Sequence, residues 1–267
     1  MEDNVCIDGI WYELDEETKT VAVINSENEE EYQGEVVIPK FIVYDGVEYL
    51  VTHIYGFAFY RCSGLKSITI PESGEYIGSG PTCHCSGLTS IIVAENNAIY
   101  DSRNGCNAII ETSSNMLIAG CAKTIIPDST TKIGPLAFCG CSGLTSITIP
   151  ENVEEIGYLA FSRCSGLTSI SVAKNNAIYD SRNDCNAIIE TKTNKLIAGC
   201  AKTIIPNNVT SIGDFTFSGC RALESITIPE GVTSIGEGAF YDCSNLTSIT
   251  IPKSVTKIKR DAFFICI

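Results

Sequence analysis

Fourteen cysteines and two histidines are the side chains of this sequence with the greatest capacity for chemistry. Thiols can hold a soft metal, bridge, or attack an electrophile, and their surroundings decide which. Cys62, Cys85, Cys141, Cys164, Cys220, Cys243 and Cys266 all fall at one position of an internal repeat. An odd-numbered row at equivalent positions reads as a buried ladder of small apolar groups. Cys106 with Cys121, and Cys185 with Cys200, are each 15 residues apart across an expected hairpin. These are the pairs that an oxidising compartment could bridge. Cys83-His84-Cys85 is the metal-like cluster. Its thiols lack the usual zinc spacer, however, and no second Cys/His pair is placed beside them by sequence, so no metal and no cofactor is assigned. His53 stands in Val-Thr-His-Ile, where a packed or surface imidazole is expected, and two histidines leave little material for a Ser/His or Cys/His catalytic set. Asp101-Ser102-Arg103-Asn104-Gly105 invites comparison with a calcium loop. Arg103 sits where a ligand oxygen is needed and no bidentate Glu follows at the right offset, so turn chemistry is the better reading. No catalytic residue is assigned, and the chain is read as a non-enzyme.

The elements that must position these residues repeat. Ile-Pro recurs at Pro71, Pro127, Pro150, Pro206, Pro229 and Pro252, at intervals of 56, 23, 56, 23 and 23 residues. The long interval is a 23-residue repeat with a 33-residue insertion, and the 79-residue block 71–149 recurs as 150–228. In each repeat Leu-x-Ser-Ile-x-Ile, as in Leu65 to Ile70, alternates with period two and predicts one short parallel strand with one buried face. Proline ends the strand because it cannot donate to the next ladder bond. Ile-Gly pairs such as Ile212-Gly213 give a buried anchor and a turn, and Ala-Phe-x-x-Cys suits a helical turn on the opposite wall. Stacked coils place Phe59, Phe138, Phe161, Phe217, Phe240 and Phe263 in an aromatic spine, interrupted where Thr82 replaces Phe. No coil buries its own face, so stability is shared between neighbours. A β-rich solenoid follows.

Pro-x-x-Val-x-x-Ile-Gly-x-x-Ala-Phe-x-x-Cys-x-x-Leu-x-Ser-Ile, as in Pro229 to Ile249, resembles the BspA-like leucine-rich repeat of bacterial surface proteins over roughly residues 36–267. The resemblance implies a leucine-rich repeat right-handed superhelix, no catalysis, adhesion to host proteins or other cells, and a cell-surface or secreted location. The N-terminus Met-Glu-Asp-Asn carries neither a basic nor an apolar signal region, which leaves open both a cytoplasmic scaffold and a mature form trimmed of its export signal.

Residues 1–35 are expected to form an acidic hairpin cap and residues 36–267 the solenoid, with hairpin insertions at about 94–126 and 173–205. Asp45-Gly46 predicts a further two-residue hairpin turn. Of the formal charge of −14, residues 1–35 supply twelve acids against Lys19. A nearly neutral body lacks the basic stripe that phosphate binding needs, which argues against nucleic acid and anionic membranes, and no apolar run is long enough to cross a bilayer. The outward strand positions are Ser67 and Thr69, Ser146 and Thr148, Ser169 and Ser171, Ser225 and Thr227, and Ser248 and Thr250. Small, hydroxylated and uncharged, they are the expected contact face for a protein partner, helped by the two insertions. A polysaccharide-active or glycan-binding solenoid is the alternative, and it would need acids, bases or aromatic platforms on adjacent coils. The last segment, with Lys253, Lys257, Lys259 and Arg260 against Asp261, is opposite in charge to the first, so weak end-to-end association of chains is also expected.

Overall fold

Alternation of apolar and polar side chains sets the sheets. In Leu65–Ile70 the side chains of Leu65, Ile68 and Ile70 are buried while Lys66 is exposed and Ser67 and Thr69 are half-buried. The computed structural model describes residues 4–26 and 32–266; Glu2, Asp3 and the acidic run at Glu27, Glu29, Glu30 and Glu31 lie outside the described residues, as does Ile267. The chain divides into two units, Met1–Cys141 with Ile156–Ala160, and Ser142–Glu155 with Phe161–Ile267.

In the first unit β1 (Asn4–Ile7), β2 (Ile10–Asp15) and β3 (Thr20–Val23) form an antiparallel meander. The expected hairpin about the acidic turn is β2–β3, and β1 adds a strand through Asp8-Gly9, both at positive φ. After β4 (Gly34–Val37), β5 (Phe41–Tyr44) and β6 (Val47–Ile54) turn about Asp45-Gly46 as expected. β6 pairs in parallel with β3 on one side and with β8 (Tyr76–Ile77) on the other. β7 (Leu65–Ile70) stands between β4 and β9 (Ser90–Val93) in a separate parallel sheet. The first insertion forms β10 (Tyr100–Asp101), β11 (Ala108–Glu111) and β12 (Met116–Gly120), antiparallel in turn, and β12 then pairs in parallel with β13 (Lys132–Ile133).

The second unit begins with β14 (Ser146–Ile149), which pairs in parallel with β16 (Ser169–Val172); β15 (Glu155–Ile156) falls where the units divide. The second insertion repeats the first as β17 (Tyr179–Asp180), β18 (Ala187–Glu190) and β19 (Lys195–Gly199). Then come β20 (Ser211–Ile212), β21 (Ser225–Thr227), β22 (Ser234–Ile235), β23 (Ser248–Thr250) and β24 (Lys257–Ile258).

Two expectations are corrected. Each repeat carries two strands rather than one, because the dipeptides that end at the Ile of Ile-Gly, or at its equivalent, pair in parallel from coil to coil: Ser211 with Ser234 and Ile212 with Ile235, then Ser234 with Lys257 and Ile235 with Ile258. The Ala-Phe-x-x-Cys stretch is not helical. It is bracketed by two residues at positive φ, four apart, in every repeat: Phe57 and Arg61, Gly80 and His84, Leu136 and Gly140, Leu159 and Arg163, Phe215 and Gly219, Gly238 and Asp242, Asp261 and Ile265. A left-handed residue interrupts the helical bond pattern and costs about 1–2 kcal/mol when it is not glycine. The freed amides instead bond the next coil, as Phe217 N to the Ala239 carbonyl at 2.7 Å and Phe240 N to Ala262 at 2.7 Å. The spine forms in the second unit, where the Phe217 and Phe240 rings stack at 5.0 Å and Phe240 and Phe263 at 5.2 Å.

Candidate interaction face

The outward hydroxyls lie where alternation places them, in separate panels. In the first unit Glu35, Ser67 and Ser90 share one row and Val37, Thr69 and Ile92 the next. Ser67 and Thr69 are half-buried there, and exposed Val37 and Ile92 make that row largely apolar. In the second unit Ser146 pairs with Ser169 and Thr148 with Ser171; Ser225 pairs with Ser248 and Thr227 with Thr250. All eight are exposed except half-buried Ser171, and the Thr148 and Ser171 hydroxyls share a hydrogen bond of 2.8 Å. The rows do not run unbroken through this unit. β14–β16 and β21–β23 are separate ladders, and the insertion strand β18, paired with β17 and β19 in another sheet, packs near β16.

A second hydroxyl row went unnoticed in the sequence. Three Thr residues that precede a strand Ser reach back one repeat: Thr89 Oγ1 donates to the Lys66 carbonyl at 3.3 Å, Thr168 to Thr145 at 3.3 Å, and Thr247 to Glu224 at 3.2 Å. The recurrent Leu-Thr-Ser-Ile was the signal that could have found it. These bonds staple coils together, leaving the Ser/Thr positions one and three residues on to face solvent.

The insertions flank these panels and are locked by side chains. Asn176 is buried and satisfied on every side. Its Nδ2 donates to the carbonyls of Pro150 (2.8 Å) and Val153 (2.9 Å), and its Oδ1 accepts from Ile178 N (2.9 Å) and Tyr179 N (2.7 Å). Asn97 does the same to Pro71 and Gly74. The Asp101 loop is turn chemistry: Arg103 forks the carboxylate, Nε to Oδ1 at 2.8 Å and Nη2 to Oδ2 at 2.6 Å, and reaches Asn115 with Nη1 at 2.8 Å. Burial pushes the Asp101 carboxyl up, but the Arg103 hydrogen bonds outweigh it and hold the pKa below the ordinary value. Arg182 grips Asp180 and Asn194 identically.

Among the described residues no cysteine is in a disulfide, and all are buried but exposed Cys6 and half-buried Cys266. The ladder thiols of Cys85, Cys243 and Cys266 donate to the Phe carbonyl of the preceding coil, to Phe59 at 2.9 Å, Phe217 at 3.1 Å and Phe240 at 2.9 Å, whereas Cys62 donates to Tyr60 in its own coil at 3.8 Å. Burial, with the neighbouring Cys200, pushes Cys220 up to about 12. In the insertion pairs Cys106 faces the Ala108 carbonyl and Cys121 the Asn107 carbonyl, and burial raises both thiols. The metal-like sequence cluster is rearranged: Cys85 turns to Phe59, whereas Cys83 and His84 meet Cys139, 56 residues downstream of Cys83.

Short parallel strands recurring every 23 residues over a Leu, Ile and Phe interior define a leucine-rich repeat protein, β-rich and nearly without helix. The sequence profile described as "BspA type Leucine rich repeat region" matches six copies over residues 47–119, 118–200 and 189–267. The chain belongs to the BspA-type leucine-rich repeat family, whose members are generally non-catalytic interaction scaffolds. Among solved structures it is similar to pneumococcal vaccine antigen PcpA, at 17% identity and a TM-score of 0.51, over 99% of this chain and 74% of that one. A leucine-rich cell surface protein of Faecalibacterium prausnitzii A2-165 aligns at 23% identity and a TM-score of 0.40, over 100% and 93% of the two chains. A leucine-rich repeat protein of Bacteroides ovatus aligns at 21% identity and 0.44, over 98% and 80%. No curated protein sequence matches the chain. Among the described residues no helix is long and apolar enough to cross a membrane.

Proposed function

We propose that this chain is a non-catalytic adhesion module whose coils wind a right-handed superhelix and whose outward Ser/Thr rows contact a host extracellular or cell-surface protein. The observation that carries the reading is the composition of the second-unit panels. Ser146, Thr148, Ser169, Ser225, Thr227, Ser248 and Thr250 are exposed, small and uncharged, a surface suited to repeated hydrogen bonds with a polypeptide. Ser67, Thr69 and Ser171 are half-buried and contribute at the margins. The rows hold no acid/base pair and no aromatic platform, which disfavours the polysaccharide-active and glycan-binding alternatives. Cell-surface or secreted placement rests on the family; a cytoplasmic interaction scaffold would use the same face.

Two assays separate these classes. Glycosidic and peptide substrates should show no turnover, and immobilised chain should retain an extracellular host protein; turnover of either substrate class would overturn the reading. The basic segment from Pro252 also favours weak pairing with the acidic N-terminal segment of a second copy. Sedimentation at high protein concentration should show association that salt abolishes, and a strict monomer at low salt contradicts it.

A further inference from the structure

Cys83, His84 and Cys139 place one donor atom each within 4.8 Å of one another in the first unit. Both cysteines are buried and His84 is half-exposed beside them. The position is built by the backbone. His84 has φ of 65°, and its amide donates to the Cys139 carbonyl at 2.9 Å, which fixes the two coils in register. Gly140, at φ 70°, lies against the imidazole; a Cβ there would fall 2.5 Å from His84 Nδ1. Tyr60 closes the other side, its ring edge-on at 5.5 Å.

The duplicated block supplies an internal control. A 79-residue shift turns Cys83, His84, Cys139 and Gly140 into Ser162, Arg163, Ser218 and Gly219. The backbone arrangement is kept: Arg163 N donates to the Ser218 carbonyl at 2.7 Å, and Ser162 Oγ donates to Ser218 Oγ at 3.1 Å. Arg163 there turns to buried Asp242, with 3.7 Å between Nη1 and Oδ2. Packing therefore needs neither thiols nor imidazole at these positions. Three residues that can ligate a soft cation in one copy are exchanged, as a set, for three that cannot bind it comparably in the other.

We propose that Cys83, Cys139 and His84 bind a zinc ion, with a fourth coordination position open to solvent beside His84. A tetrahedral site needs sulfur–sulfur separations of about 3.8 Å and sulfur–nitrogen separations of about 3.5 Å, which the observed cluster reaches by small side-chain adjustments. Two thiolates and a neutral imidazole neutralise the dication, and binding releases the two thiol protons to solvent. The ion ties together two coils that the sequence separates by the first insertion. This assignment is independent of the contact face proposed above.

Cobalt titration of the reduced full-length chain tests it, since a Cys/Cys/His site gives intense tetrahedral ligand-field bands and a sulfur-to-cobalt charge-transfer band that zinc displaces. One equivalent is expected, with a zinc-dependent rise in Tm. Cys83→Ser/His84→Arg/Cys139→Ser, the second block's own side chains, should fold by circular dichroism and lose both signals. Ser162→Cys/Arg163→His/Ser218→Cys should raise the stoichiometry to two. The proposal is overturned if the wild type shows no tetrahedral spectrum, if the first variant keeps it, or if the folded second variant stays at one equivalent. A Cys83–Cys139 disulfide that, once reduced, takes up no metal would also overturn it and assign the pair to redox chemistry.

Discussion

Buried thiols illustrate how residue identity and environment divide the work. Ladder cysteines were legible in the sequence as interior groups because an odd row at one repeat position cannot be a disulfide framework. Their bonds to Phe carbonyls were not, because those partners belong to another coil, 26 residues earlier. With Cys220 raised to about 12 from the ordinary 9.0, the unfolded chain loses this proton before the folded one does. The thiol's contribution is then fully present below pH 9.0 and disappears as pH rises toward 12. The urea midpoint should therefore fall across that window, and fall less in Cys220→Ala. In the native protein at neutral pH, a thiol-alkylating reagent followed by peptide mapping should label exposed Cys6 first; fast labelling of Cys220 or Cys243 would contradict the burial. Close approach matters as much as ionisation. Gly199 lies under the Phe217 ring, and a Cβ there would overlap the ring carbons. Gly199→Ala should lower stability by about 1–3 kcal/mol in chemical denaturation.

At the scale of elements, the strands and the two insertions were readable, and one wall was not. Period two identified β7, β14, β21 and β23 from Leu-x-Ser-Ile-x-Ile, and the Asp45-Gly46 hairpin followed from its turn chemistry. The helical expectation for the Ala-Phe wall fails because its left-handed positions hold Arg, His, Asp, Leu, Phe and Ile more often than Gly, so no local propensity announces them. Bonds to neighbouring coils impose that conformation, and such bonds have no signature within one repeat. The short second ladder escaped for the same reason. Asn176 shows what holds an insertion to its coil: one buried amide donates to two carbonyls 23 and 26 residues back and accepts from two backbone amides just ahead of it. Asn176→Ala strands two buried carbonyls and two amides and should cost about 2–4 kcal/mol, read by urea denaturation. Asn175→Ala, at the exposed neighbour, should change little.

At the scale of the whole molecule, repeats that bond to their neighbours share stability along each unit, which frees the outward positions from packing; the proposal is that these positions serve recognition. The sequence displayed the repeat, its period and the composition of that outward face. It did not show that the second unit's hydroxyl rows form two separate panels, β14–β16 and β21–β23, between which the second insertion falls in the sequence. It also grouped His84 with Cys85 rather than Cys139, since contiguity in sequence outweighs contacts across 56 residues until coils are stacked. The most direct test of the central claim is the affinity of a captured extracellular protein for three forms of the chain: wild type, Thr148→Lys/Ser171→Lys/Thr227→Lys, and Thr233→Lys, an exposed site off the panels. The triple variant, folded by circular dichroism, should bind about tenfold more weakly or worse, and Thr233→Lys should bind as wild type does. Equal binding by the triple variant, or equal loss in Thr233→Lys, would contradict the account.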